Sequence, residues 1–150
     1  MVVENRRARY EYLVLEELEV GIVLVGTEVK SLRAGNCSMN EAYATIEERR
    51  KTLELVIKGL HIPEYAFGNK MNHKPTRTRR LLAHKREIQS WYKKVREKGV
   101  TIVPLEVYFN DSRVKLHLGL ARGKRLHDKR ATERDRHDKR EMERAMLRRR

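Results

Sequence analysis

The sequence predicts a mainly β protein with helices, folded as a small closed antiparallel β-barrel and followed by a basic C-terminal tail. The prediction rests on short strand-like runs bounded by turn residues, one amphipathic helical segment, and an abrupt change of composition after Leu120. Closure into a barrel lets a small β domain avoid open sheet edges. An open α+β sheet with the helix on one face fits the same pattern and is kept as the alternative.

The first strand and helix signals lie between residues 12 and 35. Residues 12–26 contain two leucine-rich and β-branched runs separated by acidic residues and Gly21, which predicts two strands or one long bent strand. Residues 28–34 place apolar side chains three positions apart and are followed by Gly35, where a helix C-cap is expected. This segment is therefore predicted to be a short helix.

Two pairs of alternating segments predict β-hairpins. Residues 42–46 and 53–57 alternate on either side of a charged turn at 47–51, which lacks the glycine that such turns favour. Residues 100–109 and 114–120 flank a turn at Asn110-Asp111-Ser112. The total is about six strands with two or three helices, consistent with an OB-like barrel.

The clearest helical pattern follows a long loop. Residues 63–78 hold two of the three prolines and are predicted to form a surface loop. The next segment, from Arg79 to Lys98, is predicted to be a helix that ends at Gly99. Its apolar residues recur at helical spacing and are Leu81, Leu82, Ile88, Trp91, Tyr92 and Val95. Its opposite face is basic and includes Arg79, which we assign to phosphate contact.

The composition changes beyond residue 120. Residues 121–150 contain thirteen Lys or Arg and six Asp or Glu, which is half of the net charge of +14. This segment has few apolar residues, so it cannot offset the entropy of ordering by packing, but it is rich in helix-forming residues. We predict an RNA-binding barrel at 1–122 and a tail at 123–150 that is disordered when free and helical on a partner.

The charge favours a polyanionic partner, and nucleic acid is the leading candidate. Cys37 is the single cysteine, and no zinc motif, nucleotide-binding glycine loop or serine-nucleophile motif is present. We therefore expect no metal, no cofactor, no nucleotide hydrolysis and no serine nucleophile. The chain lacks an apolar run of the roughly 18 residues that a membrane helix needs, so we expect a cytoplasmic monomer with no membrane partner.

The N-terminal segment combines groups that suit RNA. Residues 5–10 bring together an amide, three guanidinium groups and a tyrosine ring, which can contact phosphates and stack on unpaired bases. A solvated arm ahead of the first strand is the simpler interpretation. Glu16, Glu17 and Glu19 form an acidic patch whose simplest role is the wet face of a strand, although a carboxylate can also accept hydrogen bonds from an exocyclic amine.

Four motifs stand in order along the chain. They are Asn5-Arg6-Arg7-Ala8-Arg9, Gly26-Thr27-Glu28-Val29-Lys30-Ser31-Leu32-Arg33-Ala34-Gly35, Pro75-Thr76-Arg77-Thr78-Arg79-Arg80-Leu81-Leu82, and Gly119-Leu120-Ala121-Arg122-Gly123-Lys124-Arg125 followed by Asp128-Lys129-Arg130. In these motifs, from about Asn5 to the end, the chain resembles the small protein B family, the bacterial partners of transfer-messenger RNA. Tyr10 departs from the family pattern, which more often has histidine there.

The resemblance implies a non-catalytic RNA-binding protein of trans-translation. Its OB-like barrel would bind the tRNA-like domain of transfer-messenger RNA and deliver it to stalled ribosomes, and its tail would occupy the empty mRNA channel at the decoding centre of the small-subunit rRNA. Family positions tied to RNA binding match Asn5, Glu19, Leu82 and Lys115. With the basic residues of the four motifs, the predicted RNA-binding set is Asn5, Arg6, Arg7, Arg9, Glu19, Lys30, Arg79, Leu82 and Lys115.

The tail residues form a second predicted set. The resemblance assigns the decoding-centre role to Gly123, Lys124, Arg125, His127, Asp128, Lys129 and Arg130. Two other classes of protein remain open on the sequence. A generic basic OB module of translation would share the charge and the barrel, and an RNA-cleaving enzyme would need a carboxylate or histidine constellation.

Overall fold

The described part of the chain folds into seven strands and four helices. The computed structural model describes residues 2–68, 72–124 and 126–148. At residues 126–129 and 132 it describes only the backbone. The elements in chain order are β1 (Val2–Glu4), α1 (Arg6–Glu11), β2 (Tyr12–Ile22), α2 (Gly26–Arg33), β3 (Tyr43–Arg49), β4 (Thr52–Lys58), β5 (Arg79–Leu82), α3 (Lys85–Lys94), β6 (Val100–Asn110), β7 (Arg113–Gly123) and α4 (Leu126–Arg148).

Six of the strands form a closed antiparallel ring. The order is β6–β3–β4–β5–β2–β7, and β7 pairs again with β6, while β1 adds to the side of β6 that also pairs with β3. Because the two ends of the sheet pair with each other, the predicted closed barrel is confirmed and the open-sheet alternative is wrong. Within the described ranges, no helix is both long and apolar enough to cross a membrane.

Both predicted hairpins are confirmed. The first joins β3 to β4 through Arg50 and Lys51, whose φ angles of 46° and 67° lie in the left-handed region. A two-residue turn with both residues at positive φ matches the twist of the strands, and this conformation costs a non-glycine residue about 1 to 2 kcal/mol. The second hairpin joins β6 to β7, with Asp111 also at positive φ.

The helix predicted from Arg79 to Lys98 is correct only in its middle part, because α3 spans Lys85–Lys94 and ends before the predicted cap at Gly99. Arg79–Leu82 is the strand β5, which pairs with β4 and β2, and α3 begins at Lys85. The side chains of β5 alternate between buried and exposed, as the two faces of a strand require. Ile88 and Trp91 of α3 are buried, which confirms the amphipathic pattern there.

The N-terminal part is more ordered than a solvated arm. Residues 2–4 form β1 against β6, and α1 follows directly. The segment after it is the single strand β2, with an irregularity in its pairing between Val14 and Glu16, so the interpretation as one long bent strand is confirmed. The short helix predicted at 28–34 is confirmed as α2.

A buried carboxylate joins α2 to β5. Glu28 and Arg79 are both 0% exposed, and Arg79 Nε donates a hydrogen bond to Glu28 Oε2. Arg77 Nη2 donates to Glu28 Oε1 at 2.5 Å, and the Val25 backbone N–H donates to the same oxygen at 3.0 Å. The pair therefore has the additional hydrogen bonds that a buried ion pair needs to offset the loss of hydration.

The same contacts control the protonation of Glu28. Burial alone would raise the pKa of its carboxyl group, but the hydrogen bonds from Arg77, the Val25 amide and Arg79 outweigh burial and lower the pKa below its ordinary value. A carboxyl group whose pKa is lower in the folded state stabilises the fold above its unfolded pKa. That contribution is lost as the pH falls through the folded pKa.

We predict that Glu28→Gln lowers the free energy of unfolding by about 3 to 5 kcal/mol, because it leaves the buried Arg79 without its counter-charge. Urea unfolding at neutral pH measures the difference. The matched control is Glu47→Gln, which breaks the more exposed ion pair with Lys58 at 2.7 Å and should change stability little. The stability gap between wild type and Glu28→Gln should shrink as the pH falls below about 4.5. Equal losses for the two variants would contradict the role given to Glu28.

Candidate nucleic-acid interface

An open groove runs along the outside of the barrel where β2, β5 and β7 meet the start of α3. Gly21 of β2 lies opposite Leu82 of β5 on one side and opposite Lys115 of β7 on the other. A Cβ atom at Gly21 would lie 3.3 Å from the Leu82 Cβ, so the glycine lets the leucine sit close over β2. The groove is lined by Glu19, Gly21, Leu82, Ala83, His84, Glu87 and Lys115.

Three of the predicted RNA-binding residues meet in this groove. Glu19 is exposed, Leu82 is 53% exposed and Lys115 is half-buried, although they come from three distant parts of the chain. A lysine ammonium can contact phosphate, a carboxylate can accept hydrogen bonds from the amino group of a base, and an apolar side chain can pack against a base or sugar. The groove therefore has the mixed chemistry that RNA recognition requires.

The Glu19 carboxylate is held by a residue that the sequence did not single out. The Tyr108 hydroxyl of β6 donates a hydrogen bond to Glu19 Oε2. Partial burial, together with the hydrogen bond to this carboxylate, raises the pKa of Tyr108 to about 12. The hydroxyl therefore stays protonated and donates throughout the physiological pH range. No sequence pattern marks this contact, since Glu19 and Tyr108 are 89 positions apart.

The three glutamates of the acidic patch contact different partners. Glu16 pairs with Lys94 of α3 at 2.7 Å, and Glu17 lies 3.5 Å from Arg9 and 3.2 Å from His117. Glu19 accepts from the Tyr108 hydroxyl instead. The three glutamates thus contact four different residues, which is typical of the exposed face of a strand and not of a general acid and base pair.

Asn5 was predicted to contact RNA, and the structure corrects this. Its side chain is 7% exposed, its Oδ1 accepts from the Ala8 N–H at 3.1 Å, and its Nδ2 donates to the Pro104 carbonyl at 2.8 Å. Asn5 is therefore the N-cap of α1 and ties that helix to β6. Its amide is engaged inside the protein, where it fixes the start of α1 against β6.

Arg79 was also predicted to contact phosphate, and its burial rules this out in the folded protein. Besides Glu28, its guanidinium donates to the carbonyls of Leu60 at 2.6 Å and Pro75 at 2.9 Å. The sequence interpretation failed because it placed Arg79 on the outer face of a helix, whereas β5 turns it inward. Besides Tyr108, sequence reasoning missed Glu28 and Arg77, whose only signal is membership of the second and third motifs.

The other predicted cations lie on the surface outside the groove. Arg6, Arg7 and Arg9 are exposed on α1, where Arg7 Nε donates to Glu11 at 3.0 Å. Lys30 is exposed on α2 with its ammonium 5.6 Å from the centre of the Tyr65 ring. These residues add positive charge around the barrel, and the structure does not gather them into one site.

The tail contains the long helix α4. Gly123 is the last residue of β7, and Lys124 is tied to α1, since its N–H donates to the Glu11 carbonyl at 2.8 Å and its Nζ to the Arg9 carbonyl at 3.1 Å. Arg130 is exposed. The remaining predicted tail residues are Arg125, which lies outside the described residues, and His127, Asp128 and Lys129, whose backbone begins α4.

One aromatic side chain connects α4 to α1. The Tyr10 hydroxyl donates to Glu133 Oε1 at 2.6 Å, and the Arg136 guanidinium lies 5.8 Å from the centre of the Tyr10 ring. Most of the described side chains of α4 are exposed. The helical propensity expected for the tail agrees with α4, and disorder of the tail in the free protein stays a prediction.

Proteins of known sequence match the chain along nearly all of its length. Residues 2–148 match the family model described as SmpB protein. The SsrA-binding protein of Desulforamulus reducens is 52% identical over 146 residues, covering 97% of this chain and 88% of that protein. The SsrA-binding protein of Kineococcus radiotolerans is 49% identical over 146 residues, covering 97% and 91%.

A solved structure agrees with the sequence comparisons. One of its chains, described with the words "tmRNA-SmpB: a journey to the center of the bacterial ribosome", superposes with a TM-score of 0.68 and 48% sequence identity, covering 83% of this chain and 85% of that chain. The resemblance carried by the four motifs is thus confirmed over the barrel and most of the tail. The chain belongs to the SmpB protein family.

Proposed function

We propose that this protein binds the tRNA-like domain of transfer-messenger RNA and delivers it to stalled ribosomes for trans-translation, without catalysing a reaction itself. Its relatives are named SsrA-binding proteins, and the solved relative belongs to a tmRNA-SmpB assembly of the bacterial ribosome. The observation that carries the proposal is the groove, where Glu19, Leu82 and Lys115 converge from three strands. These are three of the four residues that the family resemblance assigns to RNA binding.

The barrel and the tail take different roles in this proposal. The barrel presents one groove with a carboxylate, a cation and an apolar side chain, which suits recognition of a defined RNA shape. Residues 121–150 carry half of the net charge, and most of them belong to a helix of 23 residues, which suits a channel lined by phosphates. A tail that orders only inside a vacant mRNA channel would detect that the channel is empty.

The two alternative classes differ in measurable ways. A generic basic OB module of translation would bind many structured RNAs about equally, whereas our proposal requires preference for transfer-messenger RNA. An RNA-cleaving enzyme would shorten labelled RNA in the presence of magnesium. The RNA that co-purifies with the protein from a bacterial lysate, identified by sequencing, tests the proposal directly. Random cellular RNA at that step would contradict it.

We predict that deleting residues 125–150 leaves the affinity for the tRNA-like domain nearly unchanged. The deletion starts after Lys124 so that β7 and its backbone contact with α1 stay intact. Equilibrium binding to labelled RNA at several salt concentrations measures the effect, and affinity should fall steeply with salt for both proteins. A loss of more than about tenfold on truncation would show that the tail is the main RNA-binding element.

We predict that Glu19→Ala weakens binding to the tRNA-like domain by about tenfold, although it removes a negative charge. The reason is that a lost hydrogen bond to a charged group costs about 1.5 kcal/mol or more, which corresponds to this factor. The control is Glu48→Ala on β3, another exposed glutamate, which should bind as wild type or slightly more tightly. Tighter binding by both variants would mean that Glu19 acts only through its charge.

We predict that replacing Asp128, Lys129 and Arg130 together by alanine preserves RNA binding and ribosome recruitment but abolishes tagging of the stalled peptide. The chain offers a matched control, because the tetrapeptide His-Asp-Lys-Arg at 127–130 occurs again at 137–140. Alanine at Asp138, Lys139 and Arg140 removes the same charges from the same helix and should retain tagging. Full tagging by the first variant, or equal loss in both, would contradict a specific role for the first copy.

A further inference from the structure

Tyr108 reaches across a neighbouring strand to hold Glu19. In the β6–β7 pairing Tyr108 lies opposite Lys115, and in the β2–β7 pairing Glu19 lies opposite His117. The hydroxyl of β6 therefore crosses β7 to meet a carboxylate of β2. A hydrogen bond of this kind fixes the direction of an exposed glutamate whose side chain would otherwise sample several rotamers.

The groove contains opposite charges that do not pair. Lys115 lies two positions from His117 on β7, so it is the diagonal neighbour of Glu19, and such pairs are within reach of long side chains. Among the ion pairs between described residues, none includes Glu19 or Lys115. The Tyr108 hydroxyl is instead the group that donates to this carboxylate, at Oε2.

We propose that Tyr108 is a positioning residue for RNA binding, which holds the Glu19 carboxylate away from Lys115 so that both charges remain available to the RNA. The Lys115 ammonium is then free to contact a phosphate, and Glu19 is aimed to accept hydrogen bonds from the amino group of a base. This inference rests on the proposed function, and it assigns a task to a residue outside the groove lining.

The hydroxyl can be removed without changing the shape of the ring. In Tyr108→Phe the Glu19 carboxylate is released and can pair with Lys115, which neutralises the one lysine of the groove. Affinity for the tRNA-like domain should fall by roughly three- to tenfold. The plot of log affinity against log salt should become shallower by about 0.7 to 0.9, the slope of one phosphate contact. A purely structural role for Tyr108 would not change this slope.

Two further variants test the coupling. Lys115→Gln should reduce the slope by the same amount, and adding it to Tyr108→Phe should reduce the slope no further. In Glu19→Ala combined with Tyr108→Phe the carboxylate that loss of the Tyr108 hydroxyl would release is absent, so the slope should return to that of wild type while affinity stays low. Independent, additive effects of Tyr108 and Glu19 would overturn the proposal.

The control for loss of a tyrosine hydroxyl is Tyr92→Phe. Tyr92 lies half-buried on α3, outside the groove lining, with the Arg96 guanidinium 4.3 Å from the centre of its ring. The Tyr92→Phe variant should therefore bind RNA with the affinity and the salt slope of wild type. Urea unfolding confirms that each variant is folded.

Two outcomes would contradict the inference. If Tyr108→Phe has wild-type affinity and slope while Glu19→Ala and Lys115→Gln bind weakly, Tyr108 is not a positioning residue, although the groove still binds RNA. If Glu19→Ala and Lys115→Gln both bind as wild type, the groove is not the RNA-binding site, and the inference about Tyr108 fails as well.

Discussion

The buried carboxylate of Glu28 is the contact on which the rest of the molecule depends. It neutralises Arg79, the first residue of β5, and β5 is the strand that completes the ring between β4 and β2. The last residue of the same strand is Leu82, which lies in the groove. The four residues of β5 thus connect a buried charge to an apolar side chain on the surface. The position of Leu82 in the groove therefore depends on the ion pair between Glu28 and Arg79.

The distribution of charge explains how a protein with a net charge of +14 can still be selective. On the barrel, several cations are engaged by carboxylates, as in the pairs Lys94–Glu16, Arg9–Glu17 and Arg7–Glu11. Half of the net charge lies instead on residues 121–150. Under the proposed function, this segment supplies much of the general attraction to phosphate, and the barrel discriminates through the few groups whose geometry is fixed.

Local patterns in the sequence predicted the fold class and both hairpins, because alternation and turn residues act over a few positions. The start of the helix after the long loop was wrong, since the four residues of β5 suit either periodicity. Arg79 and Asn5 were assigned to RNA because burial of a polar side chain depends on partners far away in sequence, such as Glu28 at 51 positions and Pro104 at 99. Glu19, Leu82 and Lys115 were assigned to RNA binding through the family resemblance, but their convergence in one groove and the contact with Tyr108 had no signal in the sequence.

Ring closure has a consequence for the synthesis of the protein. The strand β2 is made early but pairs along most of its length with β7, which lies near the end of the chain. Until residues 113–123 have emerged from the ribosome that makes them, β2 has open edges, and such pairing between distant segments is slow to form. Nascent strands with unpaired edges are prone to associate with one another, and charged side chains oppose this association. Glu16, Glu17 and Glu19 place three like charges on β2, and like charges oppose the association of two such open edges.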